Sequence, residues 1–98
     1  SQVFEARSGA EALALVEQAP PDLIILDLLL PDISGEKLLV MLRSREPTLE
    51  TPVIVVTARD DLDAQSRAQL ATNVDSIWSK SLLDRSSFLM HVEALLAR

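Results

Sequence analysis

The chain has no cysteine. That one absence removes a disulfide scaffold, a thiolate metal site and a cysteine nucleophile together, and it suits a reducing cytoplasm. Positive charge is scarce: nine Lys and Arg stand against fifteen Asp and Glu, for a net charge of −6. Such a surface repels phosphate backbones, and no basic stripe reverses the sign locally, which argues against direct contact with nucleic acid. No apolar run approaches the roughly 20 residues that span a bilayer, and no signal-peptide pattern opens the chain. The segment therefore reads as soluble and without membrane contact of its own, with a tether elsewhere in a parent protein left open.

Apolar residues are plentiful, at 48% of the sequence, and 98 residues suffice for one domain but not two. Two segments are short, continuously apolar and rich in branched side chains: Asp22 to Asp27 and Pro52 to Thr57. Continuous runs suit strands covered on both faces, as in a parallel sheet. Each run ends in a polar residue, Asp27 or Thr57, and in open α/β sheets the ligand crevice lies at the carboxyl ends of the strands. Shorter strands are expected at Val3 to Ala6 and Ser76 to Ser79.

Helical patterns alternate with these strands. Ser8 and Glu11 have capping-box spacing, and the helix they open should reach Ala19, where Pro20 and Pro21 stop it. Glu36 to Arg45 puts Leu38, Leu39 and Leu42 on one face. Asp61 to Ala71 is a weaker helix, apolar mainly through Ala and Leu70. Asp84 caps a last helix whose Phe88, Leu89, Val92, Leu95 and Leu96 follow helical spacing. Regular alternation implies a parallel sheet with right-handed crossovers, and no repeat or linker divides the unit, residues 1–98.

Asp27 follows four apolar residues, with Pro31 four positions later and Gly35 eight positions later. Thr57-Ala58 ends the next apolar strand, and Lys80 follows Ile77-Trp78-Ser79. In these motifs the chain resembles the response-regulator receiver domains of two-component signalling, over nearly its whole length. The resemblance implies an α/β, flavodoxin-like parallel sheet with helices on both faces. It also implies a phosphorelay module that takes a phosphoryl group on Asp27 from the phosphohistidine of a histidine kinase or phosphotransfer domain. An output domain in the same or another chain is the further partner implied. Receivers catalyse their own phosphorylation and later hydrolysis, so an enzyme label fits only in part. The stretch Ser79 to Arg85 is similar to receivers at the C-terminal end of hybrid sensor histidine kinases.

The chemistry fits the trio. A carboxylate at a strand end can attack phosphorus to give an acyl phosphate, and catalysis of that transfer is mainly positioning and electrostatics. Lys80 would supply positive charge to one phosphoryl oxygen and Thr57 a hydrogen bond to another. By the resemblance, Mg²⁺ would bridge Asp27 and the phosphoryl oxygens, with the Leu29 carbonyl as a further ligand. The phosphate brings about two negative charges, enough to draw Thr57 inward and shift the neighbouring loop and helix.

Other readings are weighed beside this one. Haloacid-dehalogenase-type phosphatases need a second Asp and a Thr where this chain has Leu29 and Pro31, so that reading fails. An unrelated flavodoxin-like domain lacks its Gly-rich phosphate loop. A pseudo-receiver, binding partners without phosphorylation, stays open because the family's first strand, its acidic pair and its first helix have no counterpart here. In the family's strand order the absent strand lies between the segments at Val3 and Leu23. A fragment is the favoured explanation; direct pairing of those two strands, or a second copy filling the gap as a homodimer, are the alternatives. The family's Pro after the lysine is here Ser81, and its switch aromatic is Ile77, with Trp78 beside it, so the output face should work differently. His91 is expected to be a partly exposed helix residue without a role, and Trp78 a packing residue.

Overall fold

The computed structural model describes residues 2–59 and 62–98. Strands and helices alternate: β1 (Val3–Ala6), α1 (Gly9–Gln18), β2 (Leu23–Leu26), α2 (Gly35–Arg43), β3 (Val53–Thr57), α3 (Ala64–Ala71), β4 (Ser76–Ser79) and α4 (Arg85–Leu96). A 3₁₀ turn, Glu46–Thr48, lies between α2 and β3, where Pro47 ends the helical pattern. The sheet is wholly parallel in the order β1-β2-β3-β4. The α3 region was expected from Asp61; Asp61 lies outside the described residues, and the helix starts at Ala64 with Asp63 as its cap.

Helices cover both faces. Ala12 and Val16 of α1, Leu38, Leu39 and Leu42 of α2, and Leu70 of α3 pack with Ala6, Ile24, Leu26, Val53 and Val55 on one side. On the other, α4 lays Leu95, Phe88, Val92 and Leu96 against Leu23, Ile54, Val56 and Trp78. Leu89, expected on that packing stripe, is 49% exposed instead. The apolar run of α4 is wider than the surface it covers, since α4 serves the β2 to β4 side of its face.

No gap lies beside Val3: of the arrangements weighed above, the direct pairing is the one the structure holds. β1 pairs directly with β2, Val3 opposite Leu23 and Ala6 opposite Leu26. A gap would orphan two rows of backbone donors and acceptors, and direct pairing satisfies them. The α4-side face of that pair stays thinly covered: Val3 and Glu5 are exposed and Ile25 is half-buried.

Polar side chains fix the helix starts. Ser8 accepts the Glu11 amide at 3.0 Å, the serine half of the capping-box pattern. The free amides of Gly9 and Ala10 are taken by Asp32, at 2.8 and 3.0 Å, from the loop after β2. Ser34 accepts from Lys37 N, and Asp84 from Ser87 N. Gly35 lies so close to the β2–α2 loop that a Cβ there would stand 2.5 Å from Leu28 Cα, so only glycine fits. No helix among the described residues is long and apolar enough to cross a membrane.

Candidate functional site: a phosphoryl-acceptor cleft

The carboxyl ends of the three inner and edge strands β2, β3 and β4 meet in one cleft. Asp27 follows β2, Thr57 closes β3 and Lys80 follows β4. The Lys80 Nζ stands 2.7 Å from Asp27 Oδ2. The Leu29 amide donates to Asp27 Oδ1 at 2.9 Å. Lys80 N donates to the Thr57 carbonyl at 2.9 Å, which ties β4's end to β3's. The Thr57 side chain is buried, at 2% exposure; its Oγ1 accepts from Arg59 N at 3.1 Å and its hydroxyl also acts on the Asp27 carboxyl. The structure thus brings together all three side chains singled out from the sequence, with Leu29 beside them.

Electrostatics keep Asp27 ionised. Partial burial pushes its pKa up, but the Lys80 ammonium, the Leu29 amide and the Thr57 hydroxyl together hold it below the ordinary value of 3.8. Asp32, Asp63 and Asp84 are also lowered, by the helix-end amides and hydroxyls they accept from. A carboxyl whose folded pKa is depressed stabilises the fold above its unfolded pKa and loses that contribution as pH falls through the folded value. The chain should therefore hold its melting temperature from neutrality to about pH 4 and lose it below 3.8, read by circular dichroism. A melting temperature that is flat down to pH 2 would contradict these assignments.

The same cleft is lined by Glu5, Ala6, Arg7, Ile25, Asp27, Leu29, Leu30, Val56 and Lys80. Sequence reading missed Glu5 and Arg7. Their spacing of two along an extended segment puts them on one side of the sheet, but only the pairing of β1 with β2 brings that side to Asp27. Beyond the cleft, Arg59 reaches from the β3–α3 loop to Glu36 in the first turn of α2, at 2.7 Å.

The behaviour of Trp78 and His91 is more specific than the sequence implied. Trp78 packs edge-on against Phe88, ring centroids 5.3 Å apart, and donates its Nε1 hydrogen to Ser76 Oγ at 2.9 Å. The Ser76 hydroxyl is also 2.8 Å from His91 Nε2, so the lone histidine is half-buried and bonded. Ile77 points to the opposite face, into the core under α1 to α3.

Magnesium is the ion the receiver resemblance implies. The described residues offer it the Asp27 carboxylate, already engaged by Lys80 and Leu29, the Leu29 carbonyl, and Glu5 as the one other acid lining the cleft. No group of three His, Asp or Glu among the described residues is placed to hold a metal. A small, hard cation that favours six oxygen ligands is not matched by that donor set alone.

Comparison with known proteins gives a consistent picture. The family model for the response regulator receiver domain matches residues 1–92. The transcriptional regulatory protein KdpE of Mycobacterium tuberculosis (strain ATCC 25618 / H37Rv) is 39% identical over 97 residues, 99% of this chain and 41% of that protein. The sensor histidine kinase TmoS of Ectopseudomonas mendocina is 42% identical over 60 residues, 61% of this chain and 6% of that protein. The crystal structure of the signal receiver domain of a putative Luxo repressor protein from Vibrio parahaemolyticus superposes with a TM-score of 0.82 at 29% identity. That match covers 97% of this chain and 70% of the other. The chain thus spans well under half the length of these curated relatives.

Proposed function

We propose, from the premise that the chain belongs to the response regulator receiver domain family, that Asp27 is its phosphoryl acceptor in a two-component phosphorelay. The observation that carries this is the 2.7 Å contact between Lys80 Nζ and Asp27 Oδ2 at the strand ends, with Thr57 beside it. An ionised Asp27 attacks the phosphorus of a phosphohistidine. The new P–O bond forms as the P–N bond breaks, and the imidazole leaves with that bond's electron pair. Lys80 shifts from the carboxylate to a phosphoryl oxygen, where charge gathers during transfer. Thr57 gives up its bond from Arg59 N and turns its hydroxyl to a second oxygen, which moves the loop it anchors.

The donor is a histidine kinase or phosphotransfer domain in the cytoplasm, and an output domain reads the change. Asp27 and the Leu29 carbonyl are the oxygens this chain would offer Mg²⁺, which when bound would neutralise phosphoryl charge. A second reading, a binding module that is never phosphorylated, is favoured by the lack of an acidic cluster among the described residues of the cleft. Incubation with acetyl phosphate and Mg²⁺ separates the two. One phosphoryl group by mass, mapped to Asp27 and lost in Asp27→Asn, is the expected result. An unmodified wild-type chain, or an adduct that survives Asp27→Asn, removes Asp27 from the role.

A further inference from the structure

We infer that Arg7 is the second cation of the phosphoryl site, binding the transferring group's oxygens from the β1 side while Lys80 binds them from the β4 side. This rests on Asp27 being the acceptor. A phosphoryl group carries about two negative charges near neutrality, and Lys80 answers one of them. The described residues supply no acidic cluster that would recruit a divalent cation for the rest. Arg7 is placed to do so. Ala6 is paired with Leu26, the residue before Asp27, so Arg7 leaves β1 level with Asp27, one strand spacing of roughly 4.8 Å away. It lines the cleft together with Asp27 and Lys80.

Its guanidinium is uncommitted, since among the described residues no carboxylate or carbonyl engages it. Glu5 is the acidic side chain on β1's side of the cleft. It sits one pleat back, opposite Ile25 rather than level with Asp27. The planar fork of an arginine matches two phosphoryl oxygens at once, which a lysine does not. An edge strand carries charge simply to deter pairing with other chains, but that duty requires no place in the cleft and is served equally by lysine. Arginine and lysine should therefore differ here.

The transfer itself is unchanged: the P–O bond to Asp27 forms as the donor's bond to phosphorus breaks and its electrons leave with the donor, while Arg7 contributes charge only. The test uses the full chain, with orthophosphate binding followed by ³¹P NMR in EDTA and phosphoryl uptake from acetyl phosphate measured with Mg²⁺. Arg7→Gln should weaken phosphate binding roughly tenfold and slow uptake by a similar factor, a loss of one charge-assisted contact. Arg7→Lys should recover part of the loss, and the melting temperature should stay put, because the side chain is exposed. Asp27→Asn should abolish uptake yet still bind phosphate through Arg7. Wild-type binding and uptake in Arg7→Gln, or no phosphate binding by the parent chain, overturns the assignment. An adduct that survives Asp27→Asn instead overturns the acceptor reading, and Arg7 is then judged by the phosphate titration alone.

Discussion

Replacing Lys80 with methionine should slow phosphoryl uptake on Asp27 by roughly a hundredfold or more while leaving the fold nearly as stable as before. The two halves of that expectation have different physical origins. The Lys80–Asp27 pair is partly exposed, with side chains at 51% and 23%, and an ion pair in such a setting contributes little to stability because water screens it. In the transfer step the ammonium acts on charge that develops only then, and loss of one preplaced donor of that kind typically costs about a hundredfold to a thousandfold in rate. Methionine keeps the unbranched stem and removes only the charge. The Asp27 carboxyl should also titrate at a higher pH in the variant, since Lys80 is the largest of the influences that lower it. Rapid-quench measurement of uptake from acetyl phosphate reads the rate, and urea denaturation reads the stability. A rate within threefold of the parent would remove Lys80 from the chemistry, and with it the contact on which the acceptor assignment stands.

How much of this could be read beforehand varies from element to element for identifiable reasons. β2 and β3 were legible because strands buried on both faces need unbroken branched apolar runs, and Leu23 to Leu26 and Val53 to Val56 supply them. Once parallel order is granted, the rule that polar strand ends converge brings Asp27, Thr57 and Lys80 together from the sequence alone. The pairing of β1 with β2 was one of several arrangements left open, and the residues did not decide among them. Nothing in Val3, Phe4, Glu5 and Ala6 specifies a neighbour, because the ladder is made by backbone groups common to every residue. Arg7 and Glu5 were hidden for the same reason, as their place in the cleft follows from that pairing. The Ser76–His91–Trp78 contacts require α4 to lie across β4, and Ser76 and His91 are 15 residues apart with no periodicity linking them. Ser8 and Asp84 show the opposite case, where the deciding bond spans three residues and the local pattern suffices.

Arg43 shows that a residue without any sequence signal of importance can hold more of the molecule than the acceptor site does. It sits in the last turn of α2, where a cation suits the helix end, and the sequence suggests nothing further. In the structure its Nε and Nη2 both donate to the Asn73 carbonyl, at 3.1 and 2.8 Å. Its Nη1 serves the carbonyls of Thr48, Leu49 and Thr51, at 2.9, 3.2 and 2.7 Å. One guanidinium therefore joins α2, the 3₁₀ turn, the lead into β3 and the α3–β4 connection. Burial draws its pKa below the ordinary guanidinium value, opposed by the attraction of Asp75. Arg43→Met should cost about 3 kcal/mol, because partly buried carbonyls lose a charged donor together. In a domain of this size that corresponds to a melting temperature lower by about 15 °C. Arg43→Lys should recover less than half, since one ammonium cannot reach carbonyls on both sides of a planar fork. These contacts lie at the amino ends of β3 and β4, opposite the cleft. Uptake on Asp27 per folded molecule should accordingly be unchanged at low temperature, and a loss of uptake larger than the loss of folded protein would show that the two ends of the sheet are coupled.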